Sequence, residues 1–226
     1  MTLRLIAVLC FGLLVTACAT NRAELDIKVG ESKPTAVATA GKPVKIVAVN
    51  DKRIFMLNPR TPSIPSLRDG EINNKTITSR AIARKRNTYG MALGDILLPE
   101  GRTVAQLARE TLTKALTQAG YTVLKPGDPG YEAAPALSAD VEEFWSWATP
   151  GFTAIAMEFK GTLRLTGDWP VPPDKRRIKS YARETGLLGT EDMWIRTINK
   201  GVDALVRATR DVLPPAGPTP PGPPTS

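Results

Sequence analysis

Cys18 has the most specific chemistry in this sequence, because it stands directly after a short apolar run and two small residues. The run extends from Leu5 to Val15, and Arg4 precedes it. It is shorter than the roughly 20 residues that span a bilayer, and a charge, an apolar run and small residues before a cleavage point are typical of a secretory signal. The sequence Val15-Thr16-Ala17-Cys18 therefore predicts a bacterial lipoprotein signal, in which Cys18 receives a diacylglyceryl group and the chain is cut before it.

A lipidated Cys18 predicts a stable membrane anchor. The new amino terminus would also receive an acyl chain such as palmitate, and two or three chains together hold a protein on a bilayer. Ala19 follows the cysteine, where an aspartate would favour the inner membrane of Gram-negative bacteria. We therefore expect anchoring to the outer membrane, with the domain in the periplasm. The alternative is an ordinary secretory signal with a chance cysteine.

The residues that the chain lacks exclude most hydrolytic chemistry. The sequence has no histidine, which removes the commonest general base and the commonest zinc ligand. Cys10 would leave with the signal and Cys18 would be lipidated, so no thiol remains. Glu142 and Glu143 are adjacent in a predicted strand and are expected to point to opposite faces, unless they form a bulge or an exposed edge. The sequence predicts no catalytic residues, no metal site and no cofactor.

The organisation of the chain is predicted as four segments. Residues 1–17 form the signal, residues 18–42 the lipidated cysteine and a flexible tether, residues 43–213 a single domain, and residues 214–226 a disordered tail rich in proline. A tether of this length has a typical reach of roughly 27 Å, so the domain is expected to float near the membrane without lying on it.

Hydrophobic periodicity and capping residues predict the elements of the domain. Thr103 and Thr190 have the sequence context of helix N-caps, and Gly120 and Pro214 end the two apolar stripes that follow them. The predicted elements, in chain order, are a strand at 44–49, a long proline-punctuated loop, a helix at 104–119, a strand at 121–124, a hairpin of strands at 136–148 and 152–166, a strand at 176–184 and a helix at 191–212. Residues 76–83 fit either a strand or a helical turn. This order predicts an α+β fold with a mostly antiparallel sheet of four to five strands and two helices on one face.

The net charge of the chain, +8 with its signal, is concentrated in one segment. Residues 52–86 contain nine basic and two acidic residues, and the rest roughly balances. We expect this basic loop to contact an anionic partner, which in an envelope is a protein surface, a lipid headgroup or a glycan rather than nucleic acid. The expected contact residues are Arg53, Arg80, Arg84, Lys85 and Arg86. The alternative is a solvated loop that keeps the protein soluble.

Aromatic residues cluster beside the turn of the predicted hairpin. Trp145 and Trp147 would share a strand face with Leu137, Ala139 and Val141, which predicts core packing against the helices. The alternative is an exposed aromatic tip that contacts a glycan, a lipid or a protein partner.

Four sequence features together resemble the YajG-type family of bacterial lipoproteins. They are the lipobox, the first strand with its continuation (Val47-Ala48-Val49-Asn50-Asp51-Lys52-Arg53), a loop rich in glycine and arginine, and the helix that reads Val104-Ala105-Gln106-Leu107-Ala108-Arg109 and ends at Ala119-Gly120-Tyr121. The resemblance covers about residues 43–165. It implies binding to a protein or to another envelope component, and it carries no catalytic residue to this chain.

The sequence therefore predicts a membrane-anchored envelope lipoprotein that acts as a non-catalytic binding or assembly factor. The rival hypothesis is a periplasmic carrier of lipid or lipopolysaccharide. A carrier requires a hydrophobic cavity, whereas the alternating pattern of residues 153–165 indicates a single packed face.

Overall fold

The structure is a computed structural model that describes residues 22–30, 41–68, 70–167 and 169–216. Within these ranges the chain forms eight strands and three α-helices. The strands are β1 (Ala23–Glu24), β2 (Lys42–Asp51), β3 (Ala81–Arg86), β4 (Ala92–Leu97), β5 (Tyr121–Leu124), β6 (Ala136–Pro150), β7 (Ile155–Thr166) and β8 (Arg177–Gly186). The helices are α1 (Lys75–Thr78), α2 (Val104–Gln118) and α3 (Glu191–Val212).

The eight strands form one mixed sheet around β6, which is 15 residues long. On one side β6 pairs with β7, and β7 pairs with β8, both antiparallel. On the other side the first half of β6 pairs with β2 and the second half meets β3, both parallel. The sheet continues from β2 to β5 (parallel), and from β3 to β4 (antiparallel) and β1 (parallel).

The predicted sheet of four to five mostly antiparallel strands is wrong. Four of the seven pairings are parallel. Strand β1 lies in the predicted tether and β4 in the predicted loop, while β3 begins within residues 76–83, which fit either a strand or a helical turn. The antiparallel prediction came from β6, β7 and β8, because strands that follow one another in the chain through short connections pair antiparallel. The parallel pairs join distant segments; β2 and β5, for example, are connected through α2, and no local pattern shows such a crossover.

The predictions of the two long helices are confirmed. Thr103 accepts a hydrogen bond from the Gln106 backbone N–H, and the Gln106 side chain accepts one from the Thr103 N–H, which forms a capping box. Thr190 caps α3 in the same way by accepting from the Met193 N–H. Helix α3 packs closely on the sheet, since a Cβ atom added at Gly201 would lie 2.0 Å from Cδ1 of Phe159.

A β-bulge in β6 separates two cores. The register shifts between Val141 and Glu143, so Glu142 is an extra residue and the alternation of faces changes. Phe144 lies in the large core with the helices, and its ring meets that of Phe159 at 4.9 Å. Trp145 lies on the opposite face. The bulge, which was one of the alternatives predicted for this pair, places Glu142 and Glu143 on the same face, where Glu142 pairs with Arg164 and Glu143 with Lys160.

The second core lies under the proline-rich segment and is called the loop core below. Its buried members are Leu67, Ala81, Leu97, Trp145 and Trp147, with Phe55, Ile72 and Ile77 packed against them. Trp145 is fully buried and its Nε1 donates to the carbonyl oxygen of Pro62 at 3.0 Å. The predicted packing of Trp145 and Trp147 against the helices is therefore wrong, and both are too buried for an exposed tip.

The domain begins earlier than predicted. Leu25 and Ile27 are buried in the large core, and β1 pairs with β4, so residues 22–30 belong to the domain and not to a tether. The alternation of Leu25 and Ile27 with Asp26 and Lys28 is too short to predict a strand. At the other end Ala216 is buried and its N–H donates to Ala119.

Several predicted segments lie outside the described residues, namely the signal, Cys18, most of the tail and residues 31–40. In the part of the chain that the structure describes, every helix is too short or too polar to cross a membrane.

Candidate functional site

Arg53, the first predicted contact residue, is an interior residue. Its guanidinium donates to both carboxylate oxygens of Asp51 at 2.8 and 2.7 Å. It also donates to the carbonyl oxygens of Ala81 (2.5 Å), Phe144 (3.1 Å) and Thr78 (2.7 Å). These bonds use all five N–H groups of the guanidinium and join the loop to the sheet. Arg53 therefore has no donor left for an anionic partner.

Arg80 and Arg84 also point their charge into the protein. Arg80 donates to the carbonyl oxygen of Leu98 at 2.9 Å and to the carboxylate of Glu24. Arg84 donates to the carbonyl oxygen of Leu67 at 2.5 Å, and its Nε lies 3.3 Å from a carboxylate oxygen of Asp95. Both side chains thus hold β1, β3 and β4 together.

Asp95 is the buried carboxylate of this network. Arg22 approaches its second oxygen at 3.4 Å while binding Glu71 at 2.6 Å. Burial raises the pKa of Asp95 above its ordinary value, although Arg84 and Arg22 act in the opposite direction. The cluster fastens the N-terminal strand to the sheet, and we assign it a structural role.

Lys85 and Arg86 differ from the other three cations, because they lie where β3 ends. Arg86 donates to Gly90 (2.8 Å) and to the hydroxyl of Ser66 (2.9 Å). Burial, and then repulsion from Arg84, lower the pKa of Arg86 from its ordinary value. Lys85 has no hydrogen bond or ion pair with any residue that the structure describes.

Three connections lie at the same end of the sheet as Lys85 and Arg86, which is called the open end below. The register pairs Arg86 with Ala92, so the turn between β3 and β4 lies there. It also pairs Pro150 with Ile155 and Ile155 with Gly186, which places the β6–β7 turn and the loop before α3 at that end.

A groove of about 550 Å³ lies between these elements. Its walls are mostly apolar, and its ionisable lining residues are the two cations Lys85 and Arg86. The other lining residues are Asn87, Thr88, Leu93, Ala148, Pro150, Gly151, Phe152, Thr153, Ala154, Ile155, Met157, Leu187, Gly189 and Trp194. Apolar walls with a few polar groups are typical of ligand sites, and two cations select an anionic group.

Exposed apolar side chains surround this groove and are called the apolar rim below. They are Tyr89, Met91, Phe152, Leu187 and Leu188. Phe152 is fully exposed, and these five are half of the large apolar residues that are exposed in the described ranges. A second groove of about 460 Å³, lined by Arg60 and Tyr89, adjoins the first at Pro150. Clustered exposed apolar residues mark interaction surfaces.

The sequence predicts only part of this site. Lys85 and Arg86 are among the predicted contacts, but Tyr89, Met91, Leu187 and Leu188 are not. The detectable signal was Leu187-Leu188 between two glycines, since a loop of this kind does not bury two leucines. No set of three or more carboxylates or cysteines able to hold a metal ion occurs among the described residues.

The sequence matches no protein-family model and no curated protein. One solved structure, of an uncharacterised protein, is similar over 86% of this chain and 99% of its own length, with a TM-score of 0.36 and 8% identity. Protein XCC0632 from Xanthomonas campestris, of family DUF330, is similar over 85% of this chain and 91% of its own length, with a TM-score of 0.38 and 12% identity. These likenesses are too weak to assign a family or a function.

The chemistry that the open end offers is binding. Its cations attract an anionic group, and its apolar walls bury a hydrophobic one. Of the carboxylates nearest in the chain, Glu158 accepts hydrogen bonds from Thr149 and Tyr181, and Glu184 pairs with Arg196. Glu191 and Asp192 lie in the first turn of α3.

Proposed function

We propose that the chain is a lipid-anchored envelope lipoprotein that acts as a non-catalytic binding or assembly factor. Its site is the groove at the open end, and its partner is an envelope protein that presents an apolar segment with an anionic group. The observation that carries the proposal is a groove with apolar walls whose two ionisable residues, Lys85 and Arg86, are both cations. The resemblance to YajG-type lipoproteins over residues 43–165 supports the same class of function.

The proposed contact surface is narrower than the basic loop. Arg53, Arg80 and Arg84 are engaged with acceptors inside the domain, so they stabilise the fold in this proposal. Lys85 supplies an unpaired positive charge in the groove, and Arg86 supplies a second positive charge at its wall. An anion bound near Arg86 would also relieve its repulsion from Arg84.

The rival carrier function requires room for acyl chains. The close contact of α3 with the sheet at Gly201 leaves no space between these layers at that point. A carrier would therefore have to hold lipid in the open groove, where one side faces solvent.

The test compares the proteins and lipids that co-purify with the full-length lipoprotein after cross-linking in living cells. Lys85→Glu reverses the free charge of the groove. Lys179→Glu is the matched control, because Lys179 is an exposed lysine on β8 that has no ion pair among the described residues.

The proposal predicts a protein partner that is retained by wild type and by Lys179→Glu and is lost from Lys85→Glu. Identical protein lists for all three chains would contradict it. Stoichiometric lipid without a protein partner would replace it with the carrier function.

A further inference from the structure

The open end carries a second feature, which concerns the membrane and not the partner. We infer that the apolar rim docks on the bilayer to which Cys18 is anchored, so that the groove opens at the lipid surface. The inference rests on the lipidation of Cys18 in the proposed function. It adds an orientation of the domain and a second membrane contact.

The chain between the anchor and the domain is short. Three residues separate Cys18 from Arg22, the first described residue, so four Cα–Cα steps join them and span at most about 14 Å. The predicted reach of roughly 27 Å assumed a tether to residue 42. Because residues 22–30 belong to the domain, Arg22 must stay within about 14 Å of the lipidated cysteine.

The direction of β1 places the start of the described chain toward the open end. Strand β1 runs parallel to β4, with Ala23 beside Ile96, so its N-terminal end lies toward Ala92. Arg22 accordingly contacts Asp95. Asp95 lies three strand steps from Ala92, or about 10 Å, which is within the reach of the tether. The anchor can therefore lie level with the turn between β3 and β4.

The exposed residues of the apolar rim are distributed over three connections. Tyr89 and Met91 lie in the β3–β4 turn, Phe152 in the β6–β7 turn, and Leu187 and Leu188 in the loop before α3. Three separate turns thus expose apolar side chains at the same end of the sheet, which is the end that the anchor can reach. Leucine and aromatic side chains of this kind enter the boundary between headgroups and acyl chains.

Charge contributes less to this contact than apolar surface does. Arg60, Lys85 and Arg86 lie at the open end and suit anionic headgroups. Glu191 and Asp192, in the first turn of α3, lie at the same end and offset part of that charge. We therefore expect the docking to weaken only modestly with added salt.

The experiment places a single fluorophore on the full-length lipoprotein in vesicles. With Cys18 lipidated and Cys10 removed, an introduced cysteine is the one free thiol. Leu188→Cys labels the apolar rim, and Ala133→Cys is the matched control on an exposed residue before β6, at the opposite end of the sheet. The vesicles contain phosphatidylethanolamine, phosphatidylglycerol and a doxyl-labelled lipid as quencher.

We expect the label at residue 188 to emit at shorter wavelength, to be quenched several-fold by the doxyl lipid and to be shielded from aqueous iodide. The label at residue 133 should remain exposed to iodide. Equal exposure of both labels to iodide would overturn the inference. The inference would also be overturned if the doxyl lipid did not quench the label at residue 188 while its emission wavelength shifted with the density of protein on the vesicles. That result would indicate that the apolar rim contacts a second copy of the chain.

Two controls separate this inference from the proposed function. If the chain without an introduced cysteine takes up the label, Cys18 is not lipidated and the anchor itself is wrong. The vesicles contain no other protein, so a failure of the apolar rim to dock leaves a partner found by cross-linking unaffected.

Discussion

The loop core and the open end contain the same kinds of side chain in opposite roles. In the loop core, Trp145 is fully buried and Arg53 donates every N–H group to an acceptor within the domain. At the open end, Phe152 is fully exposed and Lys85 has no acceptor among the described residues. Residue type alone therefore does not distinguish a structural role from a binding role. The distinction depends on whether the fold provides hydrogen-bond acceptors and packing partners for the side chain.

The two regions should differ most in how far the loss of an aromatic side chain lowers the free energy of unfolding. Trp145→Ala removes a fully buried indole from the loop core and should lower the free energy of unfolding by about 4 kcal/mol. Phe152→Ala removes an exposed ring and should change it by less than about 0.5 kcal/mol. Urea unfolding of both variants measures this. Equal destabilisation would show that the two regions are not distinct.

The next largest difference in the free energy of unfolding should come from the loss of a cation in each region. Arg53→Met leaves Asp51 and three backbone carbonyls without their donors, and we expect a loss of about 3 kcal/mol in the free energy of unfolding. Arg60→Met, at an exposed position of the same segment, is the matched control and should lose less than about 0.5 kcal/mol. A stable Arg53→Met variant would mean that this residue does not hold the loop on the sheet.

A smaller effect concerns the pH dependence of stability on the face that carries Trp145. Burial raises the pKa of Glu143, but hydrogen bonds from Lys160 and Thr162 outweigh it and leave the pKa below its ordinary value. The unfolded state then binds more protons in this range, so the contribution of Glu143 is present above its ordinary pKa and is lost as pH falls through the lowered value.

Glu143→Gln should therefore flatten the acid limb of a plot of unfolding free energy against pH. Glu132→Gln, an exposed carboxylate whose side chain makes no ion pair with described residues, should leave that limb unchanged. The comparison would be contradicted by equal slopes in wild type and Glu143→Gln.

The smallest effect on stability is expected at the open end. Lys85→Glu breaks no side-chain hydrogen bond or ion pair with described residues and should keep the free energy of unfolding within about 0.5 kcal/mol of wild type. Its effect should appear only in partner binding, as proposed above. A large loss of stability would place Lys85 with the structural cations.

The sequence predicted the elements whose signals are local. Thr103 and Thr190 mark the helix starts, and the alternation in β7 marks a strand with one buried face. The order of the sheet could not be read in this way, because β2 and β5 pair in parallel across a helix. A bulge at Glu142 and Glu143 was one of the alternatives that the sequence offered, but its consequence, that Trp145 moves from one face to the other, was not predicted.

The candidate site was only partly predictable for a related reason. A count of basic residues located the segment 52–86, but four of its arginines have partners that include backbone carbonyls, which a sequence does not show. The groove itself depends on three turns that meet only after the sheet has formed. Lys85 could be identified as the unpaired cation of the groove only from its place at the end of β3.

The central claim, that the open end is the binding site, is tested most directly by photo-cross-linking in living cells. A benzophenone amino acid would replace Thr88, which lines the groove, or Thr122, an exposed residue of β5 at the opposite end. We predict a specific protein adduct from position 88 and none from position 122. An adduct from position 122 alone, or from both positions equally, would contradict the claim.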